Sequence, residues 1–161
     1  YDPRAPENWT RDQLQAAISV MKKPSQSEFS VSKAKSEAEA ILARNTVFAN
    51  LGSLLASKLG RLSDFKSRYA KNGKTTGGAW DIKKANKAYE NYGNVLFGYL
   101  GKTAGLTEIE LRVGAGKYQA VGTTSVQSWS QVLTDKYFGD DPRDYGFVTI
   151  GIRSYGSGIL P

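Results

Sequence analysis

Apolar side chains recur at spacings of three and four along most of this chain, and hardly anywhere at the spacing of two that a half-buried strand needs. Leu14, Ala17, Ile18 and Met21 form one such stripe, and Thr10 before it is suited to cap a helix. Residues 31–45 are rich in Ala, Glu and Lys, with Ile41 and Leu42 near the end, which makes a good helix former with a thin apolar face. Val47, Phe48, Leu51, Leu54, Leu55 and Leu59 form a more apolar stripe that belongs in a core, and a further helix follows over 62–69. From Asp81 toward Tyr99 a single long helix is expected, with Ile82, Ala85, Tyr89, Gly93, Leu96 and Leu100 on its buried face. Residues 108–113 read as helix or strand. Residues 125–138, with Val126, Trp129, Val132 and Leu133, and 142–155 read as helices. The pattern predicts a mainly α, compact single domain of seven to eight helices, with a Gly-rich loop (residues 72–78) before the candidate active-site helix. Residues 1–60 would form a helical layer and 61–161 the core, the two folding as one cooperative unit.

A chain of 161 residues can bury a sizeable core without staples. It contains neither cysteine nor histidine. That excludes disulfide scaffolds, thiolate zinc sites, cysteine nucleophiles and Ser-His-Asp triads. Any acid–base chemistry falls to Asp, Glu, Lys, Arg or Tyr. No stretch approaches the ~18 apolar residues of a membrane helix. Tyr1 is not an initiator residue, so the expectation is a piece cut from a longer protein.

Charge is uneven. The net formal charge is +7, and residues 58–87 hold Lys58, Arg61, Lys66, Arg68, Lys71, Lys74, Lys83, Lys84 and Lys87 against only Asp64 and Asp81. The whole excess therefore sits there. It suits a polyanion: nucleic acid, an anionic cell wall or an acidic protein. A solvated basic face is the plain alternative.

Two short pieces, Gly73-Lys74-Thr75 and Gly101-Lys102-Thr103, end like a phosphate-binding loop. The glycine needed five residues before the last one is Arg68 or Leu96, so neither qualifies. Asp140-Asp141-Pro142-Arg143-Asp144 reads first as a helix start, with Asp141 as cap, Pro142 as first helical residue and Asp144 as capping-box acid. A catalytic or cation-binding cluster is its functional alternative. Asp81, with Trp80 before it and Lys83 and Lys84 after it, is likewise a cap or a catalytic corner. Glu90-Asn91-Tyr92-Gly93-Asn94 sets weak helix formers inside a helix, a local conflict expected at a functional position or a bend. On one straight helix, Lys83, Lys87, Glu90 and Asn94 would share a face and Asp81 would point away from Glu90.

With Gly77-Gly78-Ala79-Trp80-Asp81-Ile82-Lys83, then Tyr89…Tyr92-Gly93-Asn94…Gly98, then Gly139-Asp140-Asp141-Pro142-Arg143-Asp144 and Gly151-Ile152-Arg153-Ser154-Tyr155, the chain resembles the bacterial polymorphic toxin type 44 family over about residues 64–157. The resemblance implies an antibacterial effector, secreted as the end of a larger protein, delivered into a target bacterium and neutralised in its producer by an immunity protein. It carries over Asp81, Lys83, Tyr89, Gly93, Asn94, Asp140, Asp141 and Asp144 as site residues, and an RNase as the activity. In a metal-independent, histidine-free RNase, Asp81 would be the base, Lys83 or Lys84 the phosphate clamp, and Tyr92 or Asn94 a positioning group. Trp80, Lys71, Lys74, Lys84 and Lys87 would bind the substrate. The alternative is a muramidase-like glycosidase acting on peptidoglycan, with Glu90, Asp81 and the 140–144 acids as its carboxyls. Neither reading calls for a metal or cofactor. The immunity partner is expected to be acidic and to cover residues 58–87.

Overall fold

The computed structural model describes residues 6–44, 50–119 and 141–161, the side chains of Leu51 and 114–119 excepted. The described residues form seven α-helices and one two-stranded hairpin, as the mainly α expectation requires. The expected helix over 125–138, together with Val47, Phe48 and Asp140, lies outside the described residues.

Helix α1 (Arg11–Ser19) starts at a complete capping box: Thr10 Oγ1 accepts the Gln13 N–H while Gln13 Oε1 accepts the Thr10 N–H. It buries Leu14, Ala17 and Ile18. Helix α2 (Val31–Arg44) buries only Ala34, Ala38 and Ile41, the thin face its composition implies. Helix α3 (Leu51–Ser67) runs through residue 62 without the expected break. Its apolar stripe is not core: Leu55 is 54% and Leu59 68% exposed. The helix meets the rest of the fold through its last turns, where Phe65 is 2% exposed. There Phe65, Tyr69, Trp80 and Phe97 form a cluster of edge-on and tilted rings with centroids 5.3–6.0 Å apart. Each such pair adds about 0.5–1.5 kcal/mol beyond area burial.

The Gly-rich loop is a hairpin, β1 (Ala70–Lys71) and β2 (Lys74–Gly77), paired antiparallel. Asn72 (φ 52°) and Gly73 (φ 76°) both take the left-handed backbone that a tight hairpin turn demands. At its far end Gly78 lies on the α3 terminus, where any Cβ would strike the backbone of Arg68 and Tyr69.

The long helix expected from Asp81 is broken. A four-residue helix α4 (Ile82–Ala85) ends at Asn86, which is extended (φ −153°, ψ 117°). Asn86 Oδ1 then caps a 3-10 turn (Lys87–Tyr89) by accepting the Ala88 N–H, and α5 (Glu90–Thr103) begins anew. Asn competes with helical backbone bonding in this way, and that competition ends the helix here. Lys83 and Lys87 therefore do not share a helix face with Glu90 and Asn94, and Ala85 is exposed instead of buried.

Helix α6 (Glu108–Gln119) resolves the helix-or-strand alternative, and Thr107 and Glu110 form its capping box. Helix α7 (Pro142–Ser154) packs on α5 as the centre of the fold, with Val95, Leu100, Val148 and Ile150 at most 1% exposed. Glycines allow this approach: a Cβ on Gly98 would lie 2.9 Å from Ile152 N and one on Gly151 2.9 Å from Tyr99 N. Arg153 Nη1 donates to the Pro6 and Trp9 carbonyls at 2.8 and 2.6 Å, tying the first turn of the chain to the last helix.

Candidate active site

The close approach of α5 and α7 brings their first turns together. Asp141 has extended backbone and its Oδ1 accepts the Arg143 N–H at 2.8 Å, and Pro142 sits at the first helical position. This is the cap the sequence implies. Asp144, one turn further, reaches the neighbouring helix: Asn94 Nδ2 donates to Asp144 Oδ1 at 3.0 Å. Gly93, beside Asn94, receives α4, because Ile82 Cγ1 lies 3.4 Å from the place a Cβ would take. Ile82, Gly93-Asn94 and Asp144, one from each of three separate pieces, thus come together, although 50 residues separate Asn94 from Asp144.

Electrostatics single out Asp144. Half-burial lifts its carboxyl above the ordinary carboxylate range, and the charges of Glu90 and Asp141 push it further, while Lys83 and Arg143 pull it down. Glu90, Asp141 and Asp144 all lie at helix starts, where the helix dipole favours negative charge. Burial and the neighbouring like charges thus favour the neutral form of the Asp144 carboxyl more than in a free one. Among the described residues no group of three or more acidic side chains is placed to hold a metal ion.

Asp81, Trp80 and Tyr92, also expected in the site, have other partners. Asp81 is 9% exposed, and its Oδ2 accepts the Gly77 N–H at 2.8 Å, which ties the hairpin to α4; it makes no side-chain cap for α4. Trp80 is 4% exposed, inside the aromatic cluster, with the Arg68 guanidinium 5.7 Å from its ring centroid. Tyr92 is buried and its hydroxyl is pushed up by burial and by Tyr99. It lies on the opposite side of α5 from Asn94, two residues away at about 100° each. Lys71, Lys74, Lys83, Lys84 and Lys87 are exposed.

Three contributions had no signal in the sequence. Glu28 Oε2 accepts the Tyr89 hydroxyl at 2.9 Å, next to Glu90, and Lys23 Nζ sits 5.6 Å from the Tyr92 ring centroid. The Tyr89 bond holds the Glu28 carboxyl below its usual range. Arg112, 2% exposed, donates to the Tyr145 carbonyl at 3.1 Å, to Glu108 at 3.1 Å and to Thr149 Oγ1, and stacks 3.9 Å from the Tyr145 ring centroid. It fixes the backbone directly after Asp144. Only contacts between distant segments create these roles.

A sequence model of a family described as bacterial toxin 44 matches residues 65–157, more than half of the chain and all three convergent pieces. No curated protein and no solved structure matches the chain.

Proposed function

Because the chain belongs to the bacterial toxin 44 family, we propose that this toxin domain is a hydrolase that cuts a glycosidic bond of the bacterial cell wall. The observation that carries this reading is Asp144, a half-buried carboxyl bonded to Asn94 across the crossing of α5 and α7, which burial and the charge of Glu90 raise above the usual carboxylate range. Glycoside hydrolysis needs such a pair: a protonated carboxyl to give its proton to the leaving oxygen, and a carboxylate to meet the anomeric centre or activate water. Asp144 is the acid. Asn94 Nδ2 donates to Asp144 Oδ1 and so holds the carboxyl in place at the crossing of the two helices. Glu90 is the partner carboxylate, and Lys83 and Arg143 limit how far the acid is weakened. Asp81 and Tyr92 serve the fold, through the Gly77 bond and the core respectively.

An RNase is the second reading, favoured by the exposed lysines. Around Asp144 the acids Glu90 and Asp141 stand against the cations Lys83 and Arg143, a balanced set with no surplus of positive charge to clamp a phosphodiester. As a family toxin the domain would act inside a target bacterium and be blocked by an immunity protein in its producer. Expression in a bacterium separates the readings. Lysis only on export to the periplasm, lost in Asp144→Asn, supports the glycosidase. Killing only from the cytoplasm overturns it in favour of the RNase.

A further inference from the structure

We infer that the lysines of the hairpin and of the segment after it form a binding surface for the carboxylates that hang from the cell-wall glycan, separate from the carboxyls that break the bond. The inference rests on the glycosidase reading. Lys71 and Lys74 are direct partners in the hairpin register, both exposed. Like charges placed opposite each other cost a hairpin stability. The turn between them is well formed for its residues, so the pair is not a by-product of poor turn chemistry. A local conflict of this kind is characteristic of a binding position.

The pair is also tied to the end of α3 and to the start of α4. The Gly77 N–H bonds to Asp81 Oδ2, the Gly78 N–H to the Tyr69 carbonyl at 2.9 Å and the Trp80 N–H to the Arg68 carbonyl at 3.0 Å. Lys83 and Lys84 follow on α4 and Lys87 on the 3-10 turn, all exposed. Among the described residues, the ion pairs are Arg44–Asp64, Arg68–Glu37 and Arg112–Glu108, so none of these five lysines is neutralised by one. The exposed lysines thus run in chain order from the hairpin through α4 to the 3-10 turn, and the charge of Lys83 among them acts on Asp144.

This division identifies the substrate class. In RNA every linkage is charged, so the scissile bond itself would carry its anion into the acid cluster. In a wall glycan the scissile linkage is neutral, and the carboxylates lie on the peptide substituents several bonds away, the lactyl carboxyl being free only where no peptide is attached. A basic surface separate from the carboxyls that act on the bond fits the second polymer. Lysine, a point charge on a flexible stem, suits mobile pendant carboxylates better than a fixed bidentate site would.

The test uses the full chain with Asp144→Asn, so that substrate is not consumed, and purified sacculi as the probe. Pelleting gives the affinity for native sacculi and for sacculi whose carboxylates have been blocked as amides. Blocking should weaken binding roughly tenfold at low salt, and Lys71→Glu with Lys74→Glu should weaken binding to native sacculi similarly while abolishing the effect of blocking. Lys33→Glu, on the exposed face of α2, should change nothing. Lys71→Gln with Lys74→Gln replaces the charge reversal if melting shows that the reversed hairpin has not folded. Unchanged binding in the lysine variants, or indifference to blocking, overturns the inference. Release of reducing ends from sacculi by the unsubstituted chain separately tests the underlying reading; degradation of RNA without such release overturns both.

Discussion

Gly151→Ala should uncouple the two halves of the candidate site. Its Cβ would strike the Val95 carbonyl and lie 2.8 Å from Val95 C and 2.9 Å from Tyr99 N. All three are backbone atoms of a buried helix, so no side chain can swing away. Restoring ordinary contact requires α5 and α7 to part by roughly 1 Å or more. Overpacking of this kind costs about 1–3 kcal/mol, against which alanine recovers about 1 kcal/mol of helix propensity. A net loss of up to about 2 kcal/mol in urea unfolding is expected. The same displacement would stretch the 3.0 Å Asn94–Asp144 bond beyond hydrogen-bonding range, and misplacement on that scale can cost about a hundredfold in rate. Gly93→Ala is the internal control on the same helix: its Cβ would meet Ile82 Cγ1 at an ordinary 3.4 Å, so propensity should win and stability should hold or rise by up to about 1 kcal/mol. Wall-hydrolysis rates and urea midpoints measured on both variants test the reasoning. A Gly151→Ala protein as stable and as active as the parent would refute the claim that backbone contact at this crossing sets the site.

Asp144→Asn should abolish hydrolysis without loss of fold. Folding lifts this carboxyl above its ordinary 3.8, so its contribution favours folding below that value and is lost as pH rises through the folded pKa. The asparagine protein should therefore be at least as stable as the parent at pH 7 in thermal melts, with a flatter decline above the carboxylate range; a marked drop in melting temperature at pH 7 contradicts this. For Glu28 the sign is opposite. Its pKa is depressed, chiefly by the Tyr89 hydroxyl, so the bond stabilises above the unfolded pKa and is lost as pH falls through the folded one. Tyr89→Phe should move the Glu28 titration, read by NMR, upward toward the usual range, and no movement would mean that the bond does not form in solution. Arg112→Lys should cost about 3 kcal/mol in urea unfolding, because one ammonium cannot keep the stack on Tyr145 and three separate acceptors. A loss under about 0.5 kcal/mol would deny the lock.

The elements that the sequence disclosed are those decided within a few residues. Thr10 and Gln13, or Asp141 and Pro142, complete their helix starts with partners two or three positions away. Asn72-Gly73 belonged to the same class: both residues tolerate left-handed backbone, and the pair is a hairpin signal that reads as a plain loop only because the flanking strands are short and exposed. The stripe on α3 misleads for a different reason. Periodicity gives the apolar face of a helix and not the presence of anything to cover it, and α3 docks at Phe65 while Leu55 and Leu59 stay outside. At Asn86 the signal was local but weak: an Asn amide capturing the Ala88 N–H is enough to end a helix that the Ile82-to-Leu100 spacing otherwise supports.

The candidate site lies at the other extreme. Asp144 carries one signature, an acid in the first turn after a cap, and that signature is the same whether it closes a capping box or faces another helix. What distinguishes the two is the distance to α5, and this depends on Gly98 and Gly151, which a sequence presents merely as poor helix formers. Their cost in propensity is offset by the packing they permit. The conflict seen at Tyr92-Gly93-Asn94 has the same origin, since Gly93 makes room for Ile82 and Asn94 spends its side chain on Asp144 rather than on its own helix. Weak helix formers clustered on α5 and α7 are therefore a trace of the crossing itself. Where two such clusters occur in one mainly α chain, a polar residue one or two turns before each glycine is the place to look for a shared site.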